Sequence, residues 1–85
     1  MSQPPVQSEA LARLRVQIDS LDAQLLALLN QRARVAEEVG ALKRQEGTPF
    51  FRPDRVAQVI AKVQAENPGP LLNQHVAAIW REIMS

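Results

Sequence analysis

The 85-residue chain contains no cysteine, which excludes disulfide staples, thiol nucleophiles and cysteine-ligated zinc. It has a single histidine, His75, too few for a histidine-built metal centre and a poor basis for a Ser-His-Asp triad. No metal is therefore expected. With only three glycines there is no glycine-rich phosphate loop. Charge of one sign is also missing: ten Lys+Arg stand against nine Asp+Glu, a net +1. A general binder of nucleic acid or of anionic membranes needs a clear basic excess, so neither partner is expected. No apolar run approaches the ~18 residues of a membrane span. The first ten residues, MSQPPVQSEA, show neither a basic start nor an apolar stretch, so no secretion signal is expected either. A reducing cytoplasm fits all of these absences.

Aromatic residues are only 4% of the chain, whereas the hydrophobic share is 46% and rich in Ala and Leu, a composition that favours helices over strands. The length allows one domain. Ordering 85 residues costs roughly 130 kcal/mol at ~1.5 kcal/mol each. Without disulfides or metal, helix packing or oligomerisation must offset that cost.

The pattern predicts an all-α fold of three helices, one long and two short. Residues 1–7 read as a flexible lead-in to a single domain over 8–85, with Ser8 as a helix cap and Glu9 in the first turn. Apolar residues follow at Leu11, Leu14, Ile18, Leu21, Leu25, Leu28, Val35, Val39 and Leu42. Steps of three and four make this the seam of a heptad repeat. Gly40 is its one soft spot. Such a helix of ~37 residues is ~55 Å long, whereas an 85-residue globule is ~30 Å across. It therefore needs a partner along part of its length. Glu46-Gly47-Thr48-Pro49 stops it. Phe50 and Phe51 read as buried anchors of the loop. Pro53 opens a second helix with Asp54 in its first turn and Val56, Val59, Ile60 and Val63 on one face. Asn67-Pro68-Gly69-Pro70 ends it, and Pro70 is placed to open a third helix with Leu72, Val76, Ile79, Trp80 and Ile83 inward. At Ser85 the apolar period of that helix is unbroken and no cap is evident, as if it were cut short.

Arg32 occupies a seam position where an apolar residue is due. A buried arginine needs an anionic partner or water. One reading is a snorkelling side chain or a pair with a nearby glutamate; the other is that Arg32 faces an anionic ligand between helices. Arg15 and Lys43 share a heptad position beside the seam, and Arg52 and Arg55 flank the start of the second helix. Lys43 lies ~16 Å along the axis from Arg32, and Arg15 ~25 Å away on the other side. Two long helices paired antiparallel and crossing near residue 26 put position 15 of one chain level with position 37 of the other. Arg15 then approaches Arg32 and Lys43 of its partner. Taken singly, Arg15, Arg52 and Arg55 also fit solvated surface charges. His75 reads as a helix-boundary residue and Trp80 as core. Cations without a nucleophile point to anion binding, or to catalysis by electrostatic positioning of a polyanion.

The run LRVQIDSLDAQLLALLNQRARVAEEVGALK over 14–43, then PFFRPDRVAQV over 49–59 and IWREIMS at 79–85, resembles the all-α chorismate mutases. It is most similar to the N-terminal mutase domain of the bifunctional chorismate mutase–prephenate dehydratases. The resemblance implies an intertwined helical homodimer with two shared sites. It also implies the Claisen rearrangement of chorismate to prephenate on the route to phenylalanine and tyrosine, with no cofactor and no covalent intermediate. It implies that Arg15 of one chain and Arg32 of the other hold the substrate carboxylates. Lys43 bonds the ether oxygen, the N–H of Arg52 contacts the ring hydroxyl, and Arg55 supports the pocket. Two departures stand out. Val56 occupies the position of a glutamate that accepts from the ring hydroxyl, and a second donor to the ether oxygen is expected beyond Ser85. The alternative is a helical dimerisation or regulatory module on the same scaffold with little activity.

Overall fold

The computed structural model describes residues 6–49 and 52–85; the expected anchors Phe50 and Phe51 lie outside them. The described residues form three α-helices and no strand: α1 (Val6–Glu46), α2 (Pro53–Glu66) and α3 (Asn73–Ile83). The chain divides into two units, one ending at Glu38 and one spanning Val39–Ser85.

The first unit is the N-terminal stretch of α1. The helix begins at Val6, two residues before the expected cap, so Ser8 lies inside its first turn. The opening N–H groups of any helix lack intrahelical acceptors, and nothing at 6–8 opposes helical backbone, so the start moves back by half a turn. Along this stretch the seam side chains stay open to solvent; Leu21 is 56% exposed and Leu28 60%. Two polar side chains bond along the helix, Gln24 Nε2 to Ser20 Oγ at 3.3 Å and Asn30 Nδ2 to the Leu26 carbonyl at 3.0 Å.

The second unit begins with the last two turns of α1, which pass through Gly40 without a break. Lys43 and Arg44 in the final turn complement the negative end of the helix dipole. Gly47 takes a left-handed φ of 72°, and the N–H of Thr48 donates back to the Lys43 carbonyl at 2.9 Å. That bond closes a Schellman motif, which is why glycine ends the helix here.

α2 starts at Pro53 as expected, with the Arg52 carbonyl accepting from the N–H groups of Arg55 at 3.0 Å and Val56 at 3.1 Å. Val56, Val59, Ile60 and Val63 are half-buried, so the predicted face of α2 is the one that packs. It packs on α3, where Val76 (3% exposed) and Ala77 (4%) form the fully buried centre, with Trp80, Ile83 and Met84 half-buried around them. The inward face of α3 is therefore rotated from the one read in the sequence. Leu72 and Ile79 are exposed, and Ala77 is inside. Positions 76, 77, 80, 83 and 84 make one stripe at 100° per residue. Ile79 lies at its edge, where a single facing helix cannot cover it.

Asn67 sets the angle between these helices. Its Nδ2 donates to the Leu71 carbonyl at 2.7 Å and to Asn73 Oδ1 at 2.8 Å, while its Oδ1 accepts from the N–H of Gly69 at 3.0 Å. Gln64 Nε2 adds a bond to the Asn73 carbonyl at 3.0 Å. This network holds residues 67–72 in a turn, so Pro70 does not open α3; the helix begins at Asn73 after Leu72. At the far end the Ser85 hydroxyl donates to the Glu82 carbonyl at 2.8 Å and the N–H of Met84 to the Trp80 carbonyl at 2.9 Å. Two of the last carbonyls of α3, those of Trp80 and Glu82, thus have donors where the sequence pattern suggested none.

With so small a buried centre, Val76→Ala is expected to destabilise the α2–α3 hairpin by about 2 kcal/mol, read as a lower urea midpoint for the Trp80 fluorescence transition. An unchanged midpoint would mean that this hairpin is not held by the Val76 contact.

Candidate active site

Three of the cations singled out in the sequence lie in one groove. Lys43, Arg52 and Arg55 line it together with Val39, Asp54 and Gln58, and it encloses about 600 Å³. The helix ends create this convergence. The last turn of α1 presents Val39 and Lys43, the Schellman turn reverses the chain, and the first turn of α2 returns Arg52, Asp54, Arg55 and Gln58. Lys43 is half-buried, whereas the α2 side chains are exposed.

The two arginines are held differently. Arg52 donates from Nε to Asp54 Oδ1 at 3.1 Å and from Nη2 to Asp54 Oδ2 at 2.8 Å, a bidentate ion pair. The hydrogen bonds from Arg52 hold the Asp54 carboxyl below the usual aspartate range, and those bonds together with the carboxylate charge push the Arg52 guanidinium further up. Arg55 donates from Nη1 to Gln58 Oε1 at 2.8 Å, so a neutral amide orients it and leaves its charge uncompensated. Among the described residues the N–H of Arg52 has no backbone acceptor. A groove of this kind suits an anion: it combines positive side chains with a helix N-terminus. No group of acids and histidines suited to a metal occurs among the described residues.

Val56 is not among the groove's lining residues. It lines a second depression of about 380 Å³ with Pro53, Ala57, Ile60, Ala61, Gln64 and Arg81. Arg15 and Arg32 belong to the first unit, exposed on α1 and without a hydrogen-bond or ion-pair partner among the described residues. The intrahelical glutamate pair that offered one reading of Arg32 is therefore not formed. Sequence reasoning took Asp54 only as a first-turn acid and passed over Gln58. The signal for both was local: an acid two residues after Arg52, and an amide three residues after Arg55 on a helix.

Residues 14–85 match the family model described as chorismate mutase type II. The chain belongs to this family. Its similarity to curated chorismate mutases extends over most of its length. It is 45% identical over 82 residues to the bifunctional chorismate mutase/prephenate dehydratase of Pseudomonas aeruginosa, an alignment covering 91% of this chain and 22% of that protein. It is 32% identical over 56 residues to the chorismate mutase of Methanocaldococcus jannaschii, covering 66% of this chain and 57% of the other. Among solved structures, form I of the chorismate mutase from Thermus thermophilus superposes with a TM-score of 0.85 at 32% identity, covering 87% of this chain and 92% of that one. The all-α resemblance read from the sequence thus holds for both the family and the fold. The chain spans about a fifth of the length of the bifunctional relatives it matches.

Proposed function

We propose that this chain is a chorismate mutase that works as an intertwined homodimer, rearranging chorismate to prephenate at two sites, each built from both copies. The observation that carries the reading is the groove at the junction of α1 and α2, where Lys43, Arg52 and Arg55 converge and, among the described residues, no Ser, Thr, Cys or His lines the wall. The reaction asks for no nucleophile. One C–O bond breaks as one C–C bond forms within a single molecule, so atoms and charge balance without a co-reactant. The protein's tasks are to hold a flexible dianion in its compact conformer and to stabilise charge that develops on the ether oxygen.

Those tasks divide among named residues. The Lys43 ammonium faces the ether oxygen, where negative charge grows as the C–O bond lengthens, and adds a contact to a carboxylate. Arg32, with Arg15 from the other copy, holds the substrate carboxylates. The N–H of Arg52 meets the ring hydroxyl at the positive end of α2, and Arg55, steadied by Gln58, keeps cationic charge on the pocket wall. Val56 has no acceptor and adds no polar contact to that hydroxyl.

The dimer follows from α1. The midpoint of Val6–Glu46 is residue 26, and antiparallel pairing about that point brings residues together whose numbers sum to 52. Position 15 then lies level with position 37 of the other copy, between its Arg32 and its Lys43. Pairing also covers the exposed leucines.

Incubation with chorismate, followed by loss of its absorbance, is expected to show turnover. Arg32→Ala is expected to lower kcat/KM by more than about 10²-fold while thermal melting stays unchanged, since the arginine interrupts an apolar seam. A chain without turnover would instead be an anion-binding helical module. Sedimentation equilibrium at micromolar concentration is expected to give about twice the 9.5 kDa chain mass; a folded species at the single-chain mass would contradict the shared site.

A further inference from the structure

Of the residues lining the groove, Asp54 is the one whose charge opposes anion binding, and neither the family resemblance nor the proposed mechanism gives it a task. Its geometry is specific. Both of its carboxylate oxygens are committed to Arg52, at 3.1 Å to Nε and 2.8 Å to Nη2. That edge of a guanidinium, Nε with one terminal nitrogen, is the edge that takes a carboxylate in bidentate fashion. Arg55 shows the contrast within the same helical turn. It spends only Nη1 on the neutral Oε1 of Gln58, and its bidentate edge has no partner among the described residues. The lining therefore carries three cations and one carboxylate, with that carboxylate placed against one particular cation.

We propose that Asp54 is a specificity-determining residue of this groove: by occupying the bidentate edge of Arg52 it withdraws that guanidinium from ligand binding and makes the groove select dicarboxylates over tricarboxylates. The proposal rests on the groove being the anion site assigned above. A dianion finds its contacts without the Arg52 side chain. A third carboxylate would need the Arg52 edge and would meet the Asp54 charge beside it. Because both side chains are exposed, the pair is screened, and its effect is selectivity within the groove, with little bearing on fold stability.

The test is calorimetric binding of two simple probes to the full chain, glutarate as dianion and propane-1,2,3-tricarboxylate as trianion, at pH 7.5 and low salt. The ratio of their affinities is the readout, since a merely structural role for Asp54 would move both together. Asp54→Asn is expected to raise the trianion-to-dianion ratio about three- to five-fold. Asp54→Glu is expected to keep the wild-type ratio, and the double change Arg52→Gln/Asp54→Asn to return to it. Glu66→Gln, which neutralises an acid at the far end of α2, is expected to leave the ratio alone. An unchanged ratio in Asp54→Asn would overturn the proposal. So would an equal rise in Glu66→Gln, because the effect would then be general charge, and so would absence of probe binding to the wild type. If the ratio rises as expected while the wild type fails to turn over chorismate, the mutase reading falls and the assignment of Asp54 stands.

Discussion

A helix of 41 residues whose apolar seam is about half exposed is the constraint on which the rest depends. Nine seam positions, each roughly half exposed, leave on the order of 100 Å² apiece in contact with water. At ~25 cal/mol per Å² that is about 20 kcal/mol of burial still available to each chain. The α2–α3 hairpin, with Val76 and Ala77 the buried side chains among the described residues, offers nothing on that scale. A single seam cation, Arg32, interrupts the stripe and is left without a partner among the described residues. In the proposed dimer, pairing of α1 with another copy would cover the leucines and give this arginine a setting in which an anion is its natural partner. In this account oligomerisation and ligand binding are consequences of the same stripe.

The second organising feature is where helices end. Gly47 stops α1 at a point that leaves Lys43 in its last turn, and Pro53 starts α2 so that Arg52 and Arg55 fall in and beside its first. Both ends bear on the same groove. A cation at the C-terminal end of one helix and the N–H groups at the start of the next are each favourable where they stand, and together they make a positively charged recess without straining the backbone. Such a recess suits a unimolecular rearrangement of an anion, which asks for positioning and charge stabilisation and for no bond to the protein.

Much of this was legible before any coordinates. The heptad spacing from Leu11 to Leu42, the Gly47 stop, the Pro53 start and the Asn67–Pro70 break are local signals, and each helix falls within two or three residues of its expected bounds. Lys43 stood out beside the seam and Arg52 and Arg55 at the start of the second helix, and the family resemblance joined them in one site. What escaped the sequence was tertiary or geometric. The inward face of α3 depends on how one helix lies on another, so Ala77 replaced Ile79 and Leu72 in the core. The start of α3 depends on Asn67, whose amide satisfies three groups in and beside its turn, and the proline signal at Pro70 lost to that network. Val56 was assigned to the site through its position in the family pattern, whereas its side chain lines the neighbouring depression. The pairing of Arg52 with Asp54 was overlooked because charge counting treats neighbouring residues as separate when one holds the other.

The central claim is that each site draws residues from two chains, and it is tested most directly by complementation. Arg15→Ala and Lys43→Ala chains, each expected to be inactive alone, are unfolded together, refolded and assayed with chorismate. If sites are shared, every heterodimer has one site with both defects and one with neither, and activity returns. If each site takes all its residues from a single chain, every site in the mixture keeps a defect, no activity returns, and the account is wrong.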